Sequence, residues 1–355
     1  MSRWSYVLKR LVLAMPVLVF ALTVTFMILY LGPLDPVTAV FGQEYNPSDA
    51  LQLRKDLGMV RADGSPVPLW EQYIDFMIRL FTFNFGQSWV VASEVSVSTL
   101  IWNKVLPTVW LGFWSVIVAL VIGLPLGFYA GLNPNTGGDY LASFGGIVWR
   151  AMPNFWLAVI LAGAISQGGF LEGYRTWVIE TQVIGTPRGT LETLLMDVEL
   201  LGVAMPMIDP TNFFAAVKWI LPAALVLGSS SMGNEMRIGR TAVLETINSN
   251  YVETARAKGV SSWKIVSKHV FRNAMVPLLP VIMGEFYLLI GGSVLVELIF
   301  NINGLGRLFI SAAFGADVTV LGALLFIFVS MTLVFNILQD ILYTMIDPRV
   351  GYESE

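Results

Sequence analysis

Residues 11–31 carry no charged side chain, and neither do residues 106–131. A helix needs roughly 20 mostly apolar residues to cross about 30 Å of hydrocarbon. Inside a bilayer every backbone N–H and C=O must be satisfied within the spanning element itself. Runs of this length therefore restrict the chain to membrane helices. The composition agrees: 55% of the 355 residues are hydrophobic and only 13% charged, too apolar for a soluble domain of this size. Arg3, Lys9 and Arg10 before the first run imitate a secretory signal. The run is longer than the roughly 7–15 apolar residues of such a signal, and Gly-Pro-Leu-Asp-Pro follows it in place of a cleavage site. We therefore read it as a retained first membrane helix.

Hydropathy places five further spans at about Leu106–Gly131, Val148–Gln167, Phe213–Met232, Met275–Phe300 and Val318–Ile346. The expectation is an all-α, polytopic membrane protein of about six transmembrane helices. Lysine and arginine set the orientation. Three lie in the first ten residues, and Arg237, Arg240, Arg256, Lys258, Lys264, Lys268 and Arg272 lie within Gly233–Ala274. Positive residues stay inside, so both termini and the 233–274 loop are expected in the cytoplasm. Residues 36–104, 168–212 and 301–317 are expected outside. In the first of these, Trp70, Tyr73, Ile74, Met77, Leu80 and Phe81 recur at helical spacing, an amphipathic helix lying on the membrane or on the protein's own outer face. The 168–212 insertion has turn signals and scattered acids, is too interrupted to span, and has room for helix or strand.

Several functions are disfavoured. A net charge of −4 leaves no basic excess for phosphates, so nucleic acid is not an expected partner. With no Cys and a single His269 there is no expected metal, disulfide or thiolate chemistry. No G-x-x-x-x-G-K-[ST], G-x-S-x-G or H-E-x-x-H pattern occurs, so the chain is expected to be non-catalytic and to bind no cofactor.

The basic loop is the distinctive segment. Val252, Ala255, Gly259, Trp263, Val266 and Val270 are spaced as one helical face, with Arg256, Lys258, Lys264, Lys268 and Arg272 mainly on other positions. Gly259 in the middle marks a turn between two short helices or a close backbone approach. On periodicity alone, docking into a groove on another protein and lying against anionic lipid are equally open. Arg150 early in the third span, beside Pro153 and Asn154, either snorkels to the interface or lines a pathway. Glu285 lies deep in the fifth span, where it either contacts a pathway or pairs with a partner's cation. Glu297 lies near the outer end, where solvent reaches it, and Gly291-Gly292-Ser293 suit close helix packing.

Glu253-Thr254-Ala255, three residues and then Gly259 resembles the Glu-Ala-Ala-x-x-x-Gly loop of ABC importer permeases, with Thr254 in place of the first Ala. Arg256-Ala257-Lys258-Gly259 and His269-Val270-Phe271-Arg272-Asn273-Ala274-Met275-Val276-Pro277 resemble the peptide-type subgroup. So do Leu8–Leu11, Gly32–Pro36, Leu53–Gly58, Gly123–Gly127, Met152–Trp156, Gly304–Arg307 and Asp347–Arg349. Together they cover nearly the whole chain outside 168–212.

The resemblance implies a type I ABC importer permease fold and a first-permease subunit of a dipeptide or oligopeptide importer. It also implies Glu253, Thr254, Ala255, Arg256, Ala257, Lys258, Gly259 and Trp263 as the coupling loop, with Arg150, Asn154 and Glu285 as pathway or subunit contacts. The implied partners are a second homologous permease, two cytoplasmic ABC ATPases that bind ATP and Mg, an extracytoplasmic solute-binding protein, and a peptide or other small solute. Nickel, glutathione and oligosaccharides are also cargoes of this class. The implied organisation is a tail and first helix at 1–35, an outer segment at 36–104, a five-helix core at 105–346 and a cytoplasmic tail at 347–355. An ion-driven secondary transporter and a membrane enzyme or receptor are the alternatives. The first calls for internal repeats and midplane ionisable residues that the sequence does not clearly display.

Overall fold

A computed structural model describes residues 3–32, 36–41, 46–180, 195–200, 203–208, 210–285 and 294–346. The chain divides into two compact units, Met1–Val105 with Gly304–Ile337, and Leu106–Asn303 with Leu338–Glu355.

The first unit is built on α1 (Arg3–Leu31), followed by the short α2 (Pro36–Phe41) and α3 (Pro47–Asp56) and by α4 (Leu69–Phe81). Leu18, Leu22, Phe26 and Leu29 recur every three or four residues along α1 and are buried, so they form one stripe. Against it lie Phe76 and Leu80 of α4 in the same core. Phe26 stacks on Tyr30 with ring centroids 4.4 Å apart, and the Thr23 and Tyr73 hydroxyls share a 2.8 Å hydrogen bond. Thus α4 packs on the protein through Phe76, Leu80, Tyr73 and Met77, while Trp70, Ile74 and Ile78 stay exposed on its other side. The helix thus packs on the protein's own surface, with its second apolar face left uncovered among the described residues.

The same unit contains α14 (Leu305–Phe314) and most of α15 (Val318–Ile346). Asp317 sits immediately before α15 and is buried. Its Oδ2 accepts from Ser88 Oγ at 2.7 Å and from the backbone N–H groups of Trp89, Val90 and Val91 at 3.2, 3.1 and 3.2 Å. Its Oδ1 accepts from Val320 N–H at 3.3 Å, an N-cap bond. One carboxylate therefore closes a loop and starts a helix. Asp317→Ala leaves those donors without an acceptor in a buried site, a local cost of roughly 3 kcal/mol. Amide exchange at Trp89–Val91 is expected to quicken about a hundredfold by mass spectrometry; unchanged protection would refute the role.

The second unit starts within α5 (Val97–Leu132) and continues through α6 (Gly137–Ala151), α7 (Asn154–Ile165) and α8 (Glu172–Glu180). An antiparallel hairpin follows, β1 (Leu195–Leu200) on β2 (Val203–Ile208), with Leu195 opposite Ile208 and Leu200 opposite Val203. The insertion thus supplies both a helix and strands to an otherwise helical protein. Next come α9 (Pro210–Ile247) and α10 (Asn250–Ala257). The chain then runs from α11 (Ser262–Lys264) through a π-helical turn (Ile265–Val270) into α12 (Phe271–Glu285), and later α13 (Val294–Ile299).

Helix α9 organises this unit. Gly123, Gly127 and Gly131 of α5 are four residues apart and line one face. A Cβ at Gly127 would lie 2.7 Å from Met236 O, and one at Gly131 would lie 2.9 Å from Arg240 O. The two backbones therefore meet directly, the close approach that small residues permit between membrane helices. At Met152 the backbone turns extended (ψ 128°) ahead of Pro153, as a residue before proline must, and α6 and α7 bend by 94°.

Among the described residues, four helices are long and apolar enough to cross a membrane, or five if the bent α6–α7 pair forms one span. The expected fifth, Met275–Phe300, includes residues 286–293, among them Gly291-Gly292-Ser293, which lie outside the described residues. The third expected span, 148–167, is two helices. The fourth does not end at Met232: α9 runs on to Ile247, at about 57 Å nearly twice the hydrocarbon thickness. Glu297 is not solvated; it is buried and accepts from Thr108 Oγ1 at 2.8 Å.

Candidate functional site

The distinctive basic segment folds as a helix, a turn and a second helical stretch. Helix α10 ends at Ala257 with Lys258 as its C-cap, and Gly259 adopts φ +74°. Gly259 N–H donates to Arg256 O at 2.9 Å and Val260 N–H to Ala255 O at 3.1 Å. This paired closure requires a left-handed residue, which glycine adopts without a Cβ penalty. A Cβ at Gly259 would meet nothing within 4 Å, so within this chain the glycine serves the turn rather than close packing.

The turn resets the helical phase. Val252, Ala255, Ile265, Val270 and Ala274 are buried together with Ala242 and Val243 of α9, and Phe128, Leu132, Ile247 and Val260 pack around them. Trp263, expected on the same face, is 79% exposed, and Ile265 takes the buried place. The π turn adds a further offset between Trp263 and Val270. Glu253, Thr254, Arg256, Ala257, Lys258, Gly259 and Trp263 consequently all stand on the exposed side, whereas Ala255 is part of the seat. The result is a rigid apolar base beneath a surface of alternating charge, small residues and one bare indole.

An ion pair steadies this base. Arg240 donates from Nε and Nη2 to the two oxygens of Asp139 at 2.6 and 2.7 Å, joining α9 to the first turn of α6. Asp139 is almost fully buried and also accepts from Asn135 N–H at 2.9 Å and Ser143 Oγ at 3.2 Å. Such bidentate geometry fixes orientation as well as distance. Sequence reading missed the pair because its members are 101 residues apart; the only local sign was an acid in a first helical turn.

The other expected contacts lie elsewhere in the unit. Arg150 is exposed at the end of α6, where Nη1 donates to Asn234 Oδ1 at 3.2 Å, and Asn154 opens α7 beyond the Pro153 break. Glu285 is buried at the end of α12, beside the Ser231 hydroxyl and Glu235. At the other end of α9, Lys218 Nζ lies 4.0 Å from the Trp177 ring centroid, and the Tyr174 hydroxyl donates to Lys218 O. Burial pushes that hydroxyl's pKa up to about 12. Among the described residues no three His, Cys, Asp or Glu side chains are placed to hold a metal.

Comparison with known proteins fits this arrangement. The chain is 30% identical to the oligopeptide transport system permease protein AppB of Bacillus subtilis, over 98% of this chain and 99% of that protein. It is 28% identical to the dipeptide transport system permease protein DppB of Escherichia coli K12, over 99% of each. Among solved structures it resembles a chain of the MetNI methionine ABC transporter in inward-facing conformations, with TM-score 0.50 and 20% identity over 70% of this chain and 97% of that one. Residues 3–100 match the N-terminal region of binding-protein-dependent transport system membrane components. Residues 123–352 match the inner membrane component itself, and the chain belongs to that family of binding-protein-dependent transport permeases.

Proposed function

We propose that this chain is one permease subunit of a peptide-type ABC importer, lining the translocation pathway and taking its energy from separate ATPases that dock on the α10–Gly259–α11 surface. As a multi-pass membrane subunit it performs no chemistry of its own. ATP and Mg belong to the ATPases, a second homologous permease completes the pathway, and an external binding protein delivers the cargo. Both termini and the docking surface face the cytoplasm. Full-length similarity to oligopeptide and dipeptide permeases supports the cargo class.

One observation carries the docking assignment: a helix–turn–helix whose buried apolar residues pack against α9 within this chain, leaving Trp263 79% exposed and Arg256 and Lys258 at the surface. An element held so firmly transmits a rigid-body movement. In that movement docking contacts matter and reactive groups do not. Exposed tryptophans and arginines are the residue types that dominate interfaces, with truncation costs of about 2 kcal/mol or more. Trp263→Ala, which removes nothing from the core, is thus expected to weaken ATPase association by roughly thirtyfold. Its unfolding midpoint should not change. Co-purification and peptide-stimulated ATP hydrolysis in proteoliposomes measure this; wild-type coupling in the variant, or transport without ATPases, would refute the reading.

A further inference from the structure

Glu235 lies mid-way along α9 with no exposed surface, and neither of its carboxylate oxygens meets a hydrogen-bond donor among the described residues. Glu285 of α12 is 7% exposed and electrostatically coupled to Glu235; its Oε2 is likewise unpartnered. The Ser231 hydroxyl, one turn before Glu235, lies within reach of Glu285. Two acids thus share one apolar junction of α5, α9 and α12.

Among the described residues no cation answers them. Of the basic groups on α9 and the elements packed against it, Arg150 and Arg237 hold Asn234, Arg240 holds Asp139, and Lys218 covers Trp177. Arg175, Lys264, Lys268 and Arg272 are at the surface, and the half-buried His269 makes no ion pair with either acid. Residues 106–132 of α5 contain no charge at all. The remaining acids are also engaged or remote: Glu297 takes Thr108, Glu172 takes Gly168 N–H, and Glu245 is exposed.

A bare carboxylate in such a place costs several kcal/mol that nothing here offsets, and two together add their repulsion. Among the described residues no third acid or histidine joins the two to hold a metal ion. On the α5 side there is no room for a further group: a Cβ at Gly123 would sit 2.9 Å from Glu235 Cβ. What remains small enough is a proton.

We propose that Glu235 and Glu285 form a proton-binding site, a carboxyl pair that holds at least one exchangeable proton between α5, α9 and α12. The proton keeps the helices together without a counter-ion and is released when α9 and α12 part.

Infrared spectra of the full chain in lipid nanodiscs test this without any ATPase. The wild type is expected to show a protonated-carboxyl C=O stretch that weakens in Glu235→Gln and in Glu285→Gln and disappears in the double variant. Because glutamine mimics the protonated acid, Glu235→Gln should also keep the wild-type unfolding midpoint, whereas Glu235→Ala should lower it. An identical carboxyl band in wild type and Glu235→Gln would overturn the proposal. So would a Glu235→Gln midpoint as low as that of Glu235→Ala, since the site would then need the negative charge.

Discussion

Gly127→Val is expected to abolish the packing of α5 on α9, with little folded protein recovered from membranes. The added Cβ would stand 2.7 Å from Met236 O, 3.1 Å from Met236 Cα and 3.2 Å from Met236 C. All three are backbone atoms of a helix interior, and none of them yields as a flexible side chain does. Either α5 or α9 must shift, and Gly123 and Gly131, held by the same stripe, would lose their contacts with it. Overpacking of this kind typically costs 1–3 kcal/mol, and here roughly 3 or more because the opposing surface is rigid. Gly145→Ala is the matched control: its Cβ would meet nothing within 4 Å, and alanine improves helix propensity by up to about 1 kcal/mol. The measurement is the yield and unfolding midpoint of each variant in detergent. A Gly127→Val protein as stable as Gly145→Ala would show that the helices do not touch along this stripe.

What sequence reading captured and missed follows the range of the interactions. Val318–Ile346 was legible end to end, because a run with a single charge, Asp340, between two polar ends needs only local hydropathy. So was the turn at Gly259, where one residue type answers one backbone requirement. Hydropathy ends the fourth span at Met232 because Glu235 and Arg237 just beyond it look like a boundary. The helix persists through them since Arg240 is neutralised by Asp139 and Glu235 is sealed against Gly123. No window of neighbouring residues contains those partners. The expected single face from Val252 to Val270 failed for a related reason. Helical phase carries forward only while the helix is unbroken, and here it is interrupted twice, so Ile265 goes inward and Trp263 outward. Hydropathy puts Glu297 near the solvated outer end of its span and Asp317 at the edge of an outer segment, yet each accepts from buried donors far away in sequence.

Gly259→Pro and Gly259→Asn separate the two services a bare turn can perform. Proline fixes φ near −65°, incompatible with the observed +74°, and it removes the N–H that closes the helix on Arg256 O. A misplaced turn shifts Trp263 relative to α10, and the loss is expected to reach about 3 kcal/mol in docking, or more than a hundredfold in ATPase association. Membrane insertion should be unaffected, because the spans on either side do not depend on the turn. Asparagine tolerates the left-handed region, and the space around the Cβ position is open. Gly259→Asn should therefore keep the turn and couple to within about threefold of wild type, a cost of well under 1 kcal/mol. Both variants are read by co-purification with the ATPases and by peptide-stimulated hydrolysis. If Asn uncouples as completely as Pro while circular dichroism and the unfolding midpoint stay normal, the docking partner must approach the glycine backbone itself, and the turn would be the lesser of its two roles. If Pro assembles normally, the motor attaches elsewhere on the chain.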